Sequence, residues 1–244
     1  VVGPTGSGKS TTLYATVNIL NRPEVNIITV EDPVEYRLPG VNQVQTHAKA
    51  GLTFAAALRS ILRSDPDIVL IGEVRDHETA QIAVESALTG HLVLTTLHTN
   101  DAPSAITRLI EMGIEPFLVG SALDCVLAQR LCRRLCPKCK EAYQPSAAAL
   151  KSAGIHLEPG QELPRIYRAV GCSVCSRTGY KGRVALHEVL PVTERIERLA
   201  VERASSATIA TAAREEGMQT LRSDGLAKVL AGVTSLDEVL RVVV

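Results

Sequence analysis

From Val1 to about Leu131, short apolar runs alternate with stretches of helical period. Val25 to Val30, Ile68 to Ile71 and His91 to Leu97 are dominated by aliphatic and β-branched residues, which predicts strands. Leu13, Val17 and Leu20 form one stripe of a helix predicted over Lys9 to Leu20. Phe54, Leu58, Ile61 and Leu62 repeat the same spacing over Phe54 to Leu62. Gly90 to Gly113 reads as strand, short loop and helix, with Gly113 placed to end that helix in a left-handed turn. Another helix is predicted from near Pro116. Strands alternating with helices predict an α/β, doubly wound core, a mostly parallel sheet with helices on both faces.

The pattern changes after Leu131. Residues 132–183 hold five of the six cysteines, many prolines and glycines and few periodic runs, which predicts a small metal-stapled insertion. From Thr193 the helical period returns, and Ser235 and Glu238 have capping-box spacing at the start of the last helix. The expected organisation is a core over 1–131, a tetracysteine insertion over 132–183 and a helical part over 184–244. Cys125 and Cys132 are read as ordinary helix residues. Only Val1 and Val2 precede a glycine-rich loop that ordinarily follows a full strand, so an upstream domain is expected to be missing.

Composition narrows the function. The 244 residues suffice for a well-buried core without disulfides. The 26 basic and 26 acidic residues cancel, so the chain as a whole has no field drawing it onto nucleic acid or anionic lipid. No run approaches the roughly 20 apolar residues that span a bilayer, so any membrane association is expected to be peripheral. Close cysteine pairs and the lack of a secretory leader predict a cytosolic chain with metal-bound thiolates.

Four groups of residues carry candidate chemistry. Gly3, Pro4, Thr5, Gly6, Ser7, Gly8, Lys9 and Ser10 fit the P-loop pattern between an apolar stretch and a helix, and Thr11 extends the nucleotide-binding set. Backbone N–H groups cradle phosphates there, Lys9 reaches the β and γ phosphates, and the Ser10 hydroxyl can ligate Mg²⁺. Ile68 to Ile71 runs into Gly72 and Glu73 as a Walker B strand does, with Gly72 in place of the usual aspartate. Glu73 either holds Mg²⁺ through water or polarises the attacking water. Glu31, Asp32 and Glu35 follow the first strand at the sheet edge where α/β ligand sites form. Glu35 is the more attractive general base, because Pro33 forces a turn that swings it toward the γ-phosphate. Glu31 serves Mg²⁺ or supports a group that does.

His91 and His98 bracket a strand and are not a metal pair; either could sense the γ-phosphate or relay its state to a neighbouring subunit. Arg59, Arg63 and Arg75 are candidate phosphate or subunit contacts. Cys136, Cys139, Cys172 and Cys175 form two C-x-x-C knuckles, together a closed Cys₄ site for structural Zn²⁺. A redox dithiol is the competing reading.

In order and spacing, Gly3 to Ser10, Glu31-Asp32-Pro33-Val34-Glu35, Gly72-Glu73-Val74-Arg75-Asp76 and Thr89-Gly90-His91 through His98-Thr99-Asn100 resemble the Walker A, Asp box, Walker B and His box of the type II secretion and type IV pilus assembly ATPases. The likeness extends through Ala128-Gln129-Arg130-Leu131, the cysteine pairs and Gly182-Arg183. It implies a RecA-like core, a cytoplasmic homohexamer peripheral at the inner membrane, and ATP hydrolysis driving pilin or pseudopilin assembly with an inner-membrane platform protein and cytoplasmic adaptors. It also implies Glu35 as catalytic glutamate and Glu73 as the Walker B glutamate near Mg²⁺. The four cysteines favour an assembly or secretion motor over a retraction motor. Two other functions compete: a nucleic-acid-translocating hexamer, disfavoured by zero net charge and 3% aromatics, and a nucleotide-gated scaffold with little turnover.

Overall fold

The computed structural model describes residues 1–155 and 162–243; residues 156–161, within the expected insertion, and Val244 lie outside the described residues. The chain opens with helix α1 (Lys9–Leu20), then strands β1 (Ile27–Glu31) and β2 (Asn42–Gln45), helix α2 (Phe54–Ile61), strand β3 (Ile68–Ile71), helix α3 (His77–Leu88) and strand β4 (Leu92–Thr95). Helices α4 (Pro103–Glu111) and α5 (Pro116–Ala122) follow. The four strands form one parallel sheet in the order β2-β1-β3-β4, with Val30 opposite both Val44 and Ile71. Helices cover both faces, as the alternating pattern predicts. Every residue of β1 and β3 is buried, as the central strands of a two-sided parallel sheet require. Leu13, Tyr14 and Val17 of α1 pack with Ile27, Ile68 and Leu70, and each fully buried aliphatic side chain there stabilises by about 1.5–3 kcal/mol.

Strand β5 (Cys125–Leu135) corrects the expectation that Cys125 and Cys132 are helical: both lie on it, and it pairs with β8 (Tyr180–Pro191). Their spacing suits a helix, but pairing with a distant segment selects the strand. Between these two strands lie β6 (Glu141–Tyr143), α6 (Ala147–Ala153) and β7 (Ile166–Arg168), with β6 and β7 antiparallel. Four helices close the chain: α7 (Glu194–Val201), α8 (Ser206–Glu215), α9 (Leu221–Leu230) and α10 (Leu236–Val242). The segment expected to be helical from 184 therefore starts as the end of a strand.

Two compact units result: Val1–Ala128 with Val189–Met218, and Gln129–Glu188 with Gln219–Val244. Boundaries at 131 and 183 do not describe this division, because the C-terminal helices separate. In the first unit α7 packs on α5 and α8 on α4. In the second, Leu226 and Val229 of α9 and Leu236 and Val239 of α10 share a core with Ala153 and Ile166. The cysteine-bearing segment thus has an apolar core as well as its thiols.

Ser235 caps α10 by accepting the Glu238 N–H, but the reciprocal half of the expected capping box is absent. The Glu238 carboxylate instead binds Arg133 and Arg241. Among described residues no helix is long and apolar enough to cross a membrane.

Candidate functional site: a phosphate loop and an acidic cleft

Most helices of the first unit start from a side-chain cap or a proline; Thr53, Asp76 and Thr193, for example, accept N–H groups of α2, α3 and α7. Helix α1 differs. It starts from Gly8 at φ 91°, in the left-handed region, with no side-chain cap. The loop reaches it from Val2, which bridges in parallel to Leu97 and Ala128 and so anchors the loop to the sheet end. The Lys9 ammonium donates to the carbonyls of Gly3 (2.8 Å) and Pro4 (3.1 Å), folding back over its own loop. Uncapped N–H groups, the helix dipole and a cation together form an anion cradle.

Across the cleft, β3 ends at Gly72 and Glu73. A Cβ on Gly72 would lie 3.3 Å from both the Val30 oxygen and the Glu31 Cα, tighter than ordinary contact. The close approach of β1 makes a side chain at 72 a tight fit, and the acid of this strand end is Glu73. The Glu73 carboxylate pairs with Arg75 and lies 3.4 Å from His98 Nε2. Thr96 bonds the Gly72 carbonyl through its hydroxyl at 2.6 Å, pinning the same strand end.

Glu31 is 4% exposed and its carboxylate accepts hydrogen bonds from three neutral donors. Thr29 Oγ1 donates to Oε1 at 2.6 Å, Gln43 Nε2 to Oε1 at 3.1 Å, and the Tyr14 hydroxyl to Oε2. Burial first, and then the Glu31 carboxylate, raise the Tyr14 pKa, so the phenol stays protonated and donating. The turn after Glu31 carries Glu35.

A cavity of about 530 Å³ gathers these groups: Thr5 to Thr11 of the loop, Glu31, Asp32 and Glu35 of the acidic turn, and Gly72, Glu73, Arg75 and His98. Sequence reasoning did not single out Thr96 and Tyr36, which also line it, or Tyr14 behind it. Tyr14 carries a readable signal, a phenol beside the apolar stripe of the helix that follows a P-loop. His91 is absent from the cavity lining; its Nδ1 lies 3.0 Å from the Ser86 carbonyl, at the end of α3. Arg59 pairs at the surface with Glu78, and neither it nor Arg63 lines the cavity.

In the second unit, all four predicted cysteines converge, their Sγ atoms within 4.8 Å of one another. Sγ separations of 3.9 Å (Cys136–Cys172) and 3.8 Å (Cys139–Cys175 and Cys172–Cys175) match the edge of about 3.8 Å for a tetrahedron with Zn–S bonds of about 2.3 Å. Burial raises the Cys175 thiol pKa, but N–H groups of Cys172 and Gly179, each 3.2 Å from its sulfur, together with the Cys139 and Cys172 thiols, outweigh this and lower it to about 6. The donor set therefore fits Zn²⁺, with no position left open. Cys125 and Cys132 lie outside the cluster.

The sheet, loop and cleft define a P-loop NTPase core. The sequence model of the family described as "Type II/IV secretion system protein" matches residues 1–241, and the chain belongs to that family. It is 53% identical over 240 residues to the type IV pilus assembly ATPase PilB of Thermus thermophilus, covering 98% of this chain and 27% of that protein. It is 52% identical over 242 residues to the type II secretion system protein E of Pseudomonas aeruginosa, covering 99% of this chain and 47% of that protein. The crystal structure of the pilus retraction motor PilT with bound ADP superposes with a TM-score of 0.72 at 28% identity, covering 98% of this chain and 59% of that one. The chain thus spans less than half the length of these two curated relatives.

Proposed function

We propose that this chain is the nucleotide-hydrolysing part of an ATP-driven motor that powers pilin or pseudopilin assembly in a type IV pilus or type II secretion machine. The observation that carries this reading is the cavity joining Thr5 to Thr11 of the phosphate loop to Glu35, Glu73 and His98. In it the loop N–H groups and Lys9 bind the phosphates of ATP, and Lys9 leaves its loop carbonyls to do so. Glu35, on the turn over the cleft, orients and deprotonates the attacking water. Ser10 and Glu73 would hold Mg²⁺, which neutralises phosphate charge when bound. Glu31, engaged by three protein donors, supports the site from behind. His98 and Arg75, both touching Glu73, report the state of the γ-phosphate to a neighbouring subunit.

Cys136, Cys139, Cys172 and Cys175 would hold a structural Zn²⁺ that staples the second unit. In this reading the protein works as a homohexamer, peripheral at the cytoplasmic face of the inner membrane, with a platform protein and cytoplasmic adaptors. The test is Mg²⁺-dependent phosphate release by the chain and by Glu73→Gln, with zinc quantified in the same preparations. Turnover lost in the variant, with about one zinc per chain, is expected. Tight ATP binding without phosphate release, even when assembled, would favour a nucleotide-gated scaffold instead.

A further inference from the structure

We propose that Tyr14 is a positioning residue for hydrolysis: its hydroxyl couples the phosphate-loop helix to the turn that carries Glu35. Tyr14 lies in α1 just over one turn beyond Lys9 and is 2% exposed. Its hydroxyl donates to Glu31 Oε2 and accepts the Glu35 N–H at 3.3 Å. One oxygen atom thus joins three elements: the helix that starts at the phosphates, the end of β1, and the Glu35 turn. Its donor role is set by the carboxylate, and this frees its lone pairs to face the Glu35 amide.

The neighbouring contacts share one purpose. Gln45 Oε1 accepts the Val34 N–H at 3.2 Å, and Gln43 Oε1 accepts the Leu38 N–H at 2.7 Å. Gln43 Nε2 donates both to the Tyr36 carbonyl at 3.2 Å and to Glu31. The Tyr36 ring stands edge-on to the Tyr14 ring, with centroids 4.6 Å apart and planes at 82°. The turn is therefore fastened to β2 on one side, and Tyr14 alone among these anchors belongs to the element that binds phosphate. A shift of α1 on nucleotide binding moves the Glu35 backbone directly. A general base must sit within hydrogen-bond reach of its water, and small displacements cost large factors in rate.

This inference rests on Glu35 acting on the water, and the test separates the two claims. Tyr14→Phe keeps the buried ring and its edge-on contact with Tyr36 but deletes the hydroxyl. Steady-state ATP turnover is measured for the wild type, Tyr14→Phe, Glu35→Gln and the double variant, with deuterium exchange of residues 31–38 in the same proteins. The expected result for Tyr14→Phe is a kcat about tenfold lower, a KM for ATP within about twofold of wild type, and faster exchange confined to 31–38. In the Glu35→Gln background, Tyr14→Phe changes kcat no further.

A wild-type kcat in Tyr14→Phe beside a crippled Glu35→Gln overturns the inference and leaves the reading of Glu35 intact. So does a raised KM with kcat unchanged, or a full tenfold loss added on top of Glu35→Gln. Wild-type turnover in Glu35→Gln overturns the reading of Glu35 and the inference with it. Glu31→Gln, which presents an amide N–H where Thr29 or Tyr14 donates, is expected to reproduce the kcat loss and the local exchange. If Tyr14→Phe does not fold, that variant decides, and wild-type values for it overturn the coupling.

Discussion

Each unit buries a carboxylate almost completely, Glu31 in the first and Glu238 in the second, and the two are held by different chemistry. Glu31 receives hydroxyl and amide donors from Tyr14, Thr29 and Gln43. Glu238 receives the Arg133 guanidinium at 2.7 Å, the Arg241 guanidinium at 2.6 Å and the Arg133 N–H at 2.9 Å. Neutral donors satisfy a carboxylate without cancelling its charge; arginines cancel it. Glu31 thus takes its hydrogen bonds from neutral groups, whereas Glu238, held by two arginines, ties α10 to β5.

Composition follows the same division. The second unit has 14 Lys and Arg against 7 Asp and Glu, and the first has 12 against 19. The net charge of zero therefore conceals a basic unit and an acidic one.

If the second unit depends on charge cancellation and thiolates while the first stands on its sheet, metal loss should separate them most strongly. Chelation, or Cys139→Ser with Cys175→Ser, is expected to remove on the order of 10 kcal/mol of metal-linked stability from the second unit. Exchange protection should collapse in β6, β7 and α6 and persist in β1 and β3; equal loss in both units would break the comparison. Lys9→Ala is the converse. It should lower phosphate release at least about a hundredfold, roughly 3 kcal/mol in the barrier, with a melting temperature that moves far less than on metal loss, because the ammonium bonds carbonyls of its own loop.

Glu238→Ala should cost the second unit about 2 kcal/mol in denaturant unfolding. That is less than for a fully buried pair, because both arginines are half exposed. The smallest effect is acid sensitivity. Burial raises the Glu238 pKa, but the Arg241 and Arg133 bonds outweigh it and hold it at about 2, against an ordinary 4.5. A folded value below the unfolded one means this stability is complete above about pH 4.5 and is lost as pH falls toward 2. Roughly half of the 2 kcal/mol should be gone near pH 3, and Glu238→Gln should flatten that limb of the unfolding curve.

Sequence legibility tracks how local each feature is. The P-loop and the helix after it were readable because glycines, Lys9 and the apolar stripe lie within a single stretch. Strand Ile68–Ile71 stood out as a buried aliphatic run bounded by turn residues. Strand β2, Asn-Gln-Val-Gln, carries no apolar run, and its glutamines serve as hydrogen-bonding anchors for the Glu35 turn. Strand β5 was misread for the complementary reason: its partner β8 begins far along the chain, and nothing local favours a strand over a helix there. His91 and His98 looked alike as strand-end histidines; only the path of β4 placed one beside Glu73 and the other at the end of α3.

The α/β class, the phosphate loop, the acidic residues beside it and the four thiols are legible before any folding, because each is written in residue type at fixed short spacing. That α9 and α10 complete the core of the cysteine-bearing unit, and that Gly72 lies close against the backbone of β1, emerges only from the folded chain. So does the meeting of Tyr14 with Glu31 and Glu35 at one oxygen. These are contacts between segments remote in sequence, set by how strands and helices stack, and no local pattern encodes which remote partner a side chain will find.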